Sequence, residues 1–232
     1  MKTKIFCDIA EINQIRKFNK KNIVKGFTTN PSLIRKAGAK NYIDYCKKIL
    51  LICKKKPISF EVFADDYQNM LKQALKINSW GKNVYVKVPV INSKNHFTRK
   101  VIKSLNGKKI KLNITAVYTA KQTKQILEVI DRKTDVIISI FAGRAADAGK
   151  DPIPELKKSL AMSKKFKNVK ILWASVREPY NYLQAKNIGC HIITVPPSII
   201  DKIENFGKTF QRLTNETVVN FLKDSKRSKF HI

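Results

Sequence analysis

The chain has 232 residues, 43% of them hydrophobic, and its 47 basic against 17 acidic residues give a formal charge of +30. That much apolar material builds one sizeable core and excludes a fully disordered polymer, and eight Gly with eight Pro exclude a collagenous or low-complexity chain. No apolar run reaches the ~18–20 residues of a membrane helix, so no membrane partner is expected.

In chain order, the opening Met1-Lys2-Thr3-Lys4-Ile5-Phe6-Cys7-Asp8 has neither a long apolar segment nor a small-residue cleavage site, and reads as a cytoplasmic N-terminus. Apolar runs predict strands over 4–8, 23–28, 58–62, 83–88, 111–115, 135–140, 169–175 and 190–195. Between them lie stretches of helical length. Tyr67, Leu71, Ala74 and Leu75 recur at helical spacing. Thr119 and Gln122 have capping-box spacing ahead of Ile126, Leu127, Val129 and Ile130. Asp151-Pro152 fits a helix start, and another helix is expected over about 178–186. A short helix over 198–204, a final helix over about 215–226 and a flexible basic tail over about 225–232 complete the chain.

Eight strands alternating with helices predict an α/β fold, a single (β/α)8 TIM barrel spanning 1–232 with an additional C-terminal helix. An open doubly wound sheet is the alternative, but no G-x-G-x-x-G follows any strand. The cysteines (Cys7, Cys46, Cys53, Cys190) lack C-x-x-C spacing and read as buried free thiols. His96, His191 and His231 form no ligand cluster, so no metal is expected. The lysines are spread over every segment; they can attract anionic small substrates or bind nucleic acid non-specifically. No RNP, zinc-finger or KH pattern is present, so no specific nucleic-acid partner is expected.

Polar residues stand where strands should be apolar: Asp8, Glu61, Lys87, Asn113, Thr115 and Ser139, with Asn30 and Arg177 just beyond strand ends. Side chains in a barrel alternate between interior and helix layer. With Val84, Val86 and Val88 facing the helices, Tyr85 and Lys87 face inward. Ser59 with Glu61, and Phe6 with Asp8, share that parity. The polar groups then converge on the C-terminal mouth, where barrel active sites lie. A lysine flanked by valines loses hydration, which disfavours the ammonium form and leaves an amine able to form a Schiff base. Alternatively it snorkels from the strand end or pairs with Glu61 or Asp8. Asp8 and Glu61 can serve acid–base steps or balance the Lys87 charge. Asn30, Asn113, Thr115 and Ser139 can bind sugar hydroxyls or a water, or be satisfied core and capping groups. Arg144 and Arg177 can clamp a phosphate, or be surface arginines of a basic protein.

These residues resemble the transaldolase family. The resemblance rests on the early Asp8, Gly26-Phe27-Thr28-Thr29-Asn30-Pro31-Ser32-Leu33, Phe60-Glu61-Val62, Val86-Lys87-Val88-Pro89 and Asn113-Ile114-Thr115. Further along come Ser139-Ile140-Phe141-Ala142-Gly143-Arg144 and Ala174-Ser175-Val176-Arg177. The resemblance implies a class I aldolase barrel without metal or other cofactor, acting on phosphorylated sugars in the pentose phosphate pathway. Lys87 matches the Schiff-base lysine, Asp8 the acid/base carboxylate, and Glu61 and Thr115 the residues that handle the catalytic water. Asn30 and Asn113 match substrate-hydroxyl contacts; Ser139, Arg144 and Arg177 match phosphate-binding positions. The family contains transaldolases and aldolase-like members that release dihydroxyacetone. The latter tend to carry Gln at the Glu61 position and Tyr at that of Phe141, so the present residues favour transaldolase. Val176 replaces a common Phe, and 145–154 form a distinctive loop. An inactive barrel that binds sugar phosphate or nucleic acid is the reading from another class. The small members of the family imply a homo-pentamer or decamer, with the last helix available for subunit contacts.

Overall fold

The computed structural model describes residues 2–228. Its strands are β1 (Lys4–Asp8), β2 (Val24–Thr28), β3 (Ile58–Glu61), β4 (Val84–Pro89), β5 (Leu112–Val117), β6 (Val136–Ile140), β7 (Val169–Trp173) and β8 (Ile192–Val195). They pair in parallel in sequence order, and β8 returns to β1 to close the barrel. Closure excludes the open doubly wound alternative.

The helices are α1 (Ile12–Asn19), α2 (Pro31–Lys36), α3 (Tyr42–Ile52), α4 (Tyr67–Asn78), α5 (Arg99–Gly107) and α6 (Ala120–Leu127). They continue with α7 (Ala142–Asp147), α8 (Ile153–Ser163), α9 (Tyr180–Asn187), α10 (Pro197–Glu204) and α11 (Phe210–Ser228). A helix leaves its first N–H groups without internal acceptors, and polar side chains supply them here. Asn30 caps α2, Asn41 caps α3 and Asp66 caps α4, while Thr119 and Gln122 form the expected capping box of α6. Helix α11 begins at Phe210 rather than near Asn215 and runs to Ser228, so the first part of the expected tail is helical. Residues 229–232 lie outside the described residues.

Two strand ends differ from expectation for backbone reasons. Strand β7 stops at Trp173, two residues before Ser175, which takes the left-handed φ +66. Strand β5 instead extends past Thr115 to Val117 through Ala116 at φ +59, where its register against β6 shifts.

The strand alternation divides the apolar side chains between two layers. Cys7, Phe27, Phe60, Val84, Val86, Val88, Ile114 and Ile138 join the core between barrel and helices. Phe6, Ile137, Leu172, Ala174 and Ile192 fill the barrel interior, with Tyr85 and Phe141 against them. Phe6 fits there because residue 26 is glycine: a Cβ would stand 2.6 Å from the Phe6 ring. This packed layer separates the polar C-terminal end of the barrel from a second polar pocket at the strand starts, lined by Lys4, Lys25, Asp135, Lys170 and His191. All four cysteines are free and buried, and burial pushes the Cys190 thiol up to about 12. Among the described residues no helix is long and apolar enough to cross a membrane.

Candidate active site

The parallel register places the inward polar residues side by side. Glu61 is level with Lys87 across β3 and β4, Lys87 with Asn113 across β4 and β5, and Asp8 with Thr28 across β1 and β2. Lys87 is only 6% exposed. Its Nζ lies 3.0 Å from Glu61 Oε2 and donates to the Thr29 carbonyl at 3.1 Å. A buried ammonium needs such partners to offset lost hydration.

Asp8 enters from β1. The Thr28 hydroxyl lies 2.7 Å from its Oδ1 and 2.6 Å from Thr194 Oγ1, linking β1, β2 and β8. Burial holds the Asp8 carboxyl above the usual carboxylate value. The Lys87 charge and the Thr28 hydroxyl pull the other way, and the nearby Glu61 adds to the rise. A carboxyl in this setting can both take and return a proton.

A cavity of about 330 Å³ opens at this end of the barrel, and its wall includes Asp8, Asn30, Lys87, Thr115, Ser139, Phe141, Arg144 and Arg177. The sequence-selected residues thus largely share one chamber. Glu61 and Asn113 are absent from its wall. Glu61 reaches Lys87 from beside it. Asn113 lies beneath, fully buried, donating from Nδ2 to Ser59 Oγ at 3.0 Å and accepting from Ser139 Oγ at 2.6 Å. It ties β3, β5 and β6 together. Asn30 uses Oδ1 to accept from Leu33 N at 2.9 Å, so its cap fixes the side chain at the mouth. Thr115 Oγ1 is buried without a protein hydrogen-bond partner among the described residues.

The two arginines differ. Arg144, on α7, places its guanidinium 5.6 Å from the Phe141 ring centroid, a cation–π arrangement. Arg177 donates from Nε to both Asp147 oxygens at 2.9 and 3.0 Å, from Nη2 to Asp147 at 2.5 Å, and from Nη1 to the Ser175 carbonyl at 3.1 Å. A guanidinium has five N–H groups, so these contacts leave two for an anion. Helix α7 lies tightly against the segment after β7: a Cβ on Gly143 would lie 1.5 Å from the Ser175 carbonyl oxygen.

Sequence reasoning did not single out Thr28, Thr194 or Asp147 as site residues. Thr194 carried the same signal as Asp8 or Lys87, a polar residue at an inward position of an apolar strand. Asp147 carried none, since one aspartate closing the six-residue helix α7 has no periodicity to mark it.

Comparison with known proteins bears on this geometry. The family described as transaldolase/fructose-6-phosphate aldolase matches residues 5–232. A protein of Nitrosopumilus maritimus named as a probable transaldolase is 32% identical over 231 residues, covering 97% of this chain and 96% of its own. One of a Sulfurihydrogenibium species, similarly named, is 34% identical over 224 residues and 95% of each chain. Among solved structures, an inosine 5′-monophosphate dehydrogenase from Legionella pneumophila superposes with a TM-score of 0.58 at 14% identity, over 83% of this chain and 57% of its own. A mandelate oxidase variant gives 0.55 at 12%, over 80% and 59%. At these identities the two structures speak to the barrel fold alone.

Proposed function

The chain belongs to the transaldolase/fructose-6-phosphate aldolase family, and from that premise we propose that it is a transaldolase, transferring a dihydroxyacetone unit between sugar phosphates through a Schiff base on Lys87. The reading rests on one observation: a buried amine at the cavity wall, held between the Glu61 carboxylate and the Thr29 carbonyl.

The Lys87 amine adds to the ketose carbonyl, and the carbinolamine loses water to give an iminium. Glu61 and a water held by Thr115 relay the protons of this step; the uncommitted Thr115 hydroxyl suits that role. Asp8 takes the C4 hydroxyl proton, the C3–C4 bond breaks, and its electron pair passes into the iminium to form an enamine. The aldose phosphate departs. An acceptor aldehyde then takes its place, the enamine carbon attacks it, and Asp8 returns the proton. Hydrolysis frees the new ketose phosphate. Sedoheptulose 7-phosphate and glyceraldehyde 3-phosphate would thus yield erythrose 4-phosphate and fructose 6-phosphate. Asn30 supplies a substrate-hydroxyl contact. Asn113 acts from below by orienting Ser139, and Arg144 with the two remaining Arg177 N–H groups receives the phosphate.

Borohydride reduction with fructose 6-phosphate, followed by peptide mass mapping, tests the reading: the adduct is expected on Lys87. Its absence in folded, substrate-exposed protein overturns the mechanism. Transfer to erythrose 4-phosphate is expected to exceed release of free dihydroxyacetone. Dominant release would assign the aldolase-like activity instead.

Helix α11 buries none of its residues, and Phe210 and Phe221 are 88% and 69% exposed. Such a face is covered in an assembly, which supports a homo-pentamer or decamer built through α11. Light scattering showing a monomer would overturn this. The four free cysteines fit a reducing cytoplasmic setting.

A further inference from the structure

We propose that Tyr42 is a positioning residue: its hydroxyl takes over the backbone of Glu61 from β2, and so leaves the Thr29 carbonyl to the Lys87 amine. The inference rests on the lysine–glutamate reading above and extends it to a residue outside the cavity.

In the β2–β3 pair, Phe27 N–H donates to the Pro57 carbonyl at 2.8 Å and Thr29 N–H to the Ser59 carbonyl at 3.2 Å. A parallel ladder advances two residues per step. The next step would direct the N–H of residue 31 to the Glu61 carbonyl, and the Glu61 N–H to the Thr29 carbonyl. Residue 31 is proline and has no N–H. The Thr29 carbonyl accepts from Lys87 Nζ instead. Both polar atoms of the Glu61 backbone would therefore lose their ladder partners, at the end of a strand whose side chain must hold a fixed place.

The Tyr42 hydroxyl supplies both. It donates to the Glu61 carbonyl at 2.9 Å and accepts from the Glu61 N–H at 3.2 Å. A hydroxyl suits this position because it is donor and acceptor at once. Tyr42 is the first residue of α3, set in place by the Asn41 cap. Its ring is braced edge-on by Phe63 at 5.2 Å and by Trp80 at 6.3 Å, and Trp80 in turn packs on Phe60 of β3. A phenylalanine would keep this packing and lose only the two hydrogen bonds. The freed Glu61 N–H would then compete with Lys87 for the Thr29 carbonyl.

Two measurements on the full chain test the proposal. In amide exchange by NMR, the Glu61 amide is expected to be protected in the wild type, and to lose protection in Tyr42→Phe while Val62 keeps its own. In steady-state transfer from fructose 6-phosphate, Tyr42→Phe is expected to lower kcat roughly tenfold, with KM within about twofold, because the phosphate contacts are untouched. In a Glu61→Gln background the same substitution is expected to cost less than in the wild type, leaving only the part that runs through the Thr29 carbonyl and Lys87. Equal losses in both backgrounds would mean that Tyr42 does not act through Glu61 and would overturn the proposal. So would a wild-type Glu61 amide that exchanges like an exposed loop amide, a measurement that stands even if Tyr42→Phe does not fold. A wild type with neither turnover nor trapped adduct would sink the Schiff-base reading, while amide protection would still decide the Tyr42–Glu61 link.

Discussion

Lys87 and Glu61 stand opposite each other on adjacent parallel strands, nitrogen and oxygen 3.0 Å apart, with side chains 8% and 18% exposed. Each is the other's compensation for burial, so removing one leaves an unpaired charge. Lys87→Met is expected to lower transfer by more than ~10⁴-fold and to destabilise the fold by about 2 kcal/mol or more. Adding Glu61→Gln should recover most of the stability and none of the activity. Urea denaturation of the two variants beside the wild type checks this; a double variant no more stable than Lys87→Met would contradict it.

Asp8 sets function against stability. Burial dominates and holds its carboxyl above the ordinary 3.8. A carboxyl that binds its proton more readily in the fold than in the unfolded chain stabilises the fold at low pH, below the unfolded value. That contribution is lost as pH rises through the folded value. The raised Asp8 carboxyl therefore costs the protein stability at neutral pH. Asp8→Asn cannot ionise and still accepts from Thr28. It is expected to be more stable than the wild type at pH 7, with the advantage shrinking as pH falls toward 3.8. Its transfer activity should drop ~10²–10⁴-fold. Denaturation midpoints across pH, with a gain that fails to shrink on acidification, would refute the assignment.

The barrel and the centre of its site were legible in the sequence for one physical reason. A strand with one face on a core must alternate, so a charged residue within an apolar strand stands out, as Lys87 does between Val86 and Val88. Asp8 and Glu61 were found by the same parity, and register then made them neighbours. What escaped notice depends on contacts that carry no period. Asp147 meets Arg177 from the end of α7, and Tyr42 reaches Glu61 from the start of α3. The left-handed turns at Ala116 and Ser175 are likewise set by neighbouring chain, since neither residue type favours that conformation. Strand β5 passes through the first of them to Val117, and β7 ends two residues before the second.

Asp147 fixes one edge of the Arg177 guanidinium, and two of its N–H groups remain for the phosphate of the proposed substrate. Arg177→Ala is therefore expected to raise KM for fructose 6-phosphate ~10–100-fold with kcat nearly unchanged. Asp147→Asn should raise KM less, and Asp147→Glu less still. Unphosphorylated fructose should react equally well with all of them. A fall in KM for Asp147→Asn would show that the aspartate competes with phosphate rather than aligning the arginine.

The +30 charge acts at longer range. The Debye length falls from ~30 Å at 0.01 M salt to ~10 Å at 0.1 M. KM for fructose 6-phosphate is expected to rise several-fold across that interval while kcat holds, because steering concerns encounter and not the bonded steps. An uncharged sugar serves as the control. Equal salt dependence for both would assign the effect to the fold and not to attraction of the phosphate.

Gly143 tests how far the proposed phosphate site depends on one close approach between α7 and the segment after β7. A methyl group there would stand 1.5 Å from the Ser175 carbonyl oxygen, a backbone atom that cannot swing aside as a flexible side chain could. Ser175 already occupies a left-handed conformation, and its carbonyl accepts from Arg177 Nη1, so moving it displaces the arginine as well. Gly143→Ala is expected to cost ~3 kcal/mol or more and to raise KM for phosphorylated sugars in whatever protein remains folded. Gly107 provides the contrast. It ends α5, and a methyl group added there would meet nothing within 4 Å, so Gly107→Ala should be neutral or stabilise by ~0.5 kcal/mol. If the two substitutions shifted the melting temperature alike, the loss at Gly143 would reflect general backbone stiffening and not the collision with Ser175.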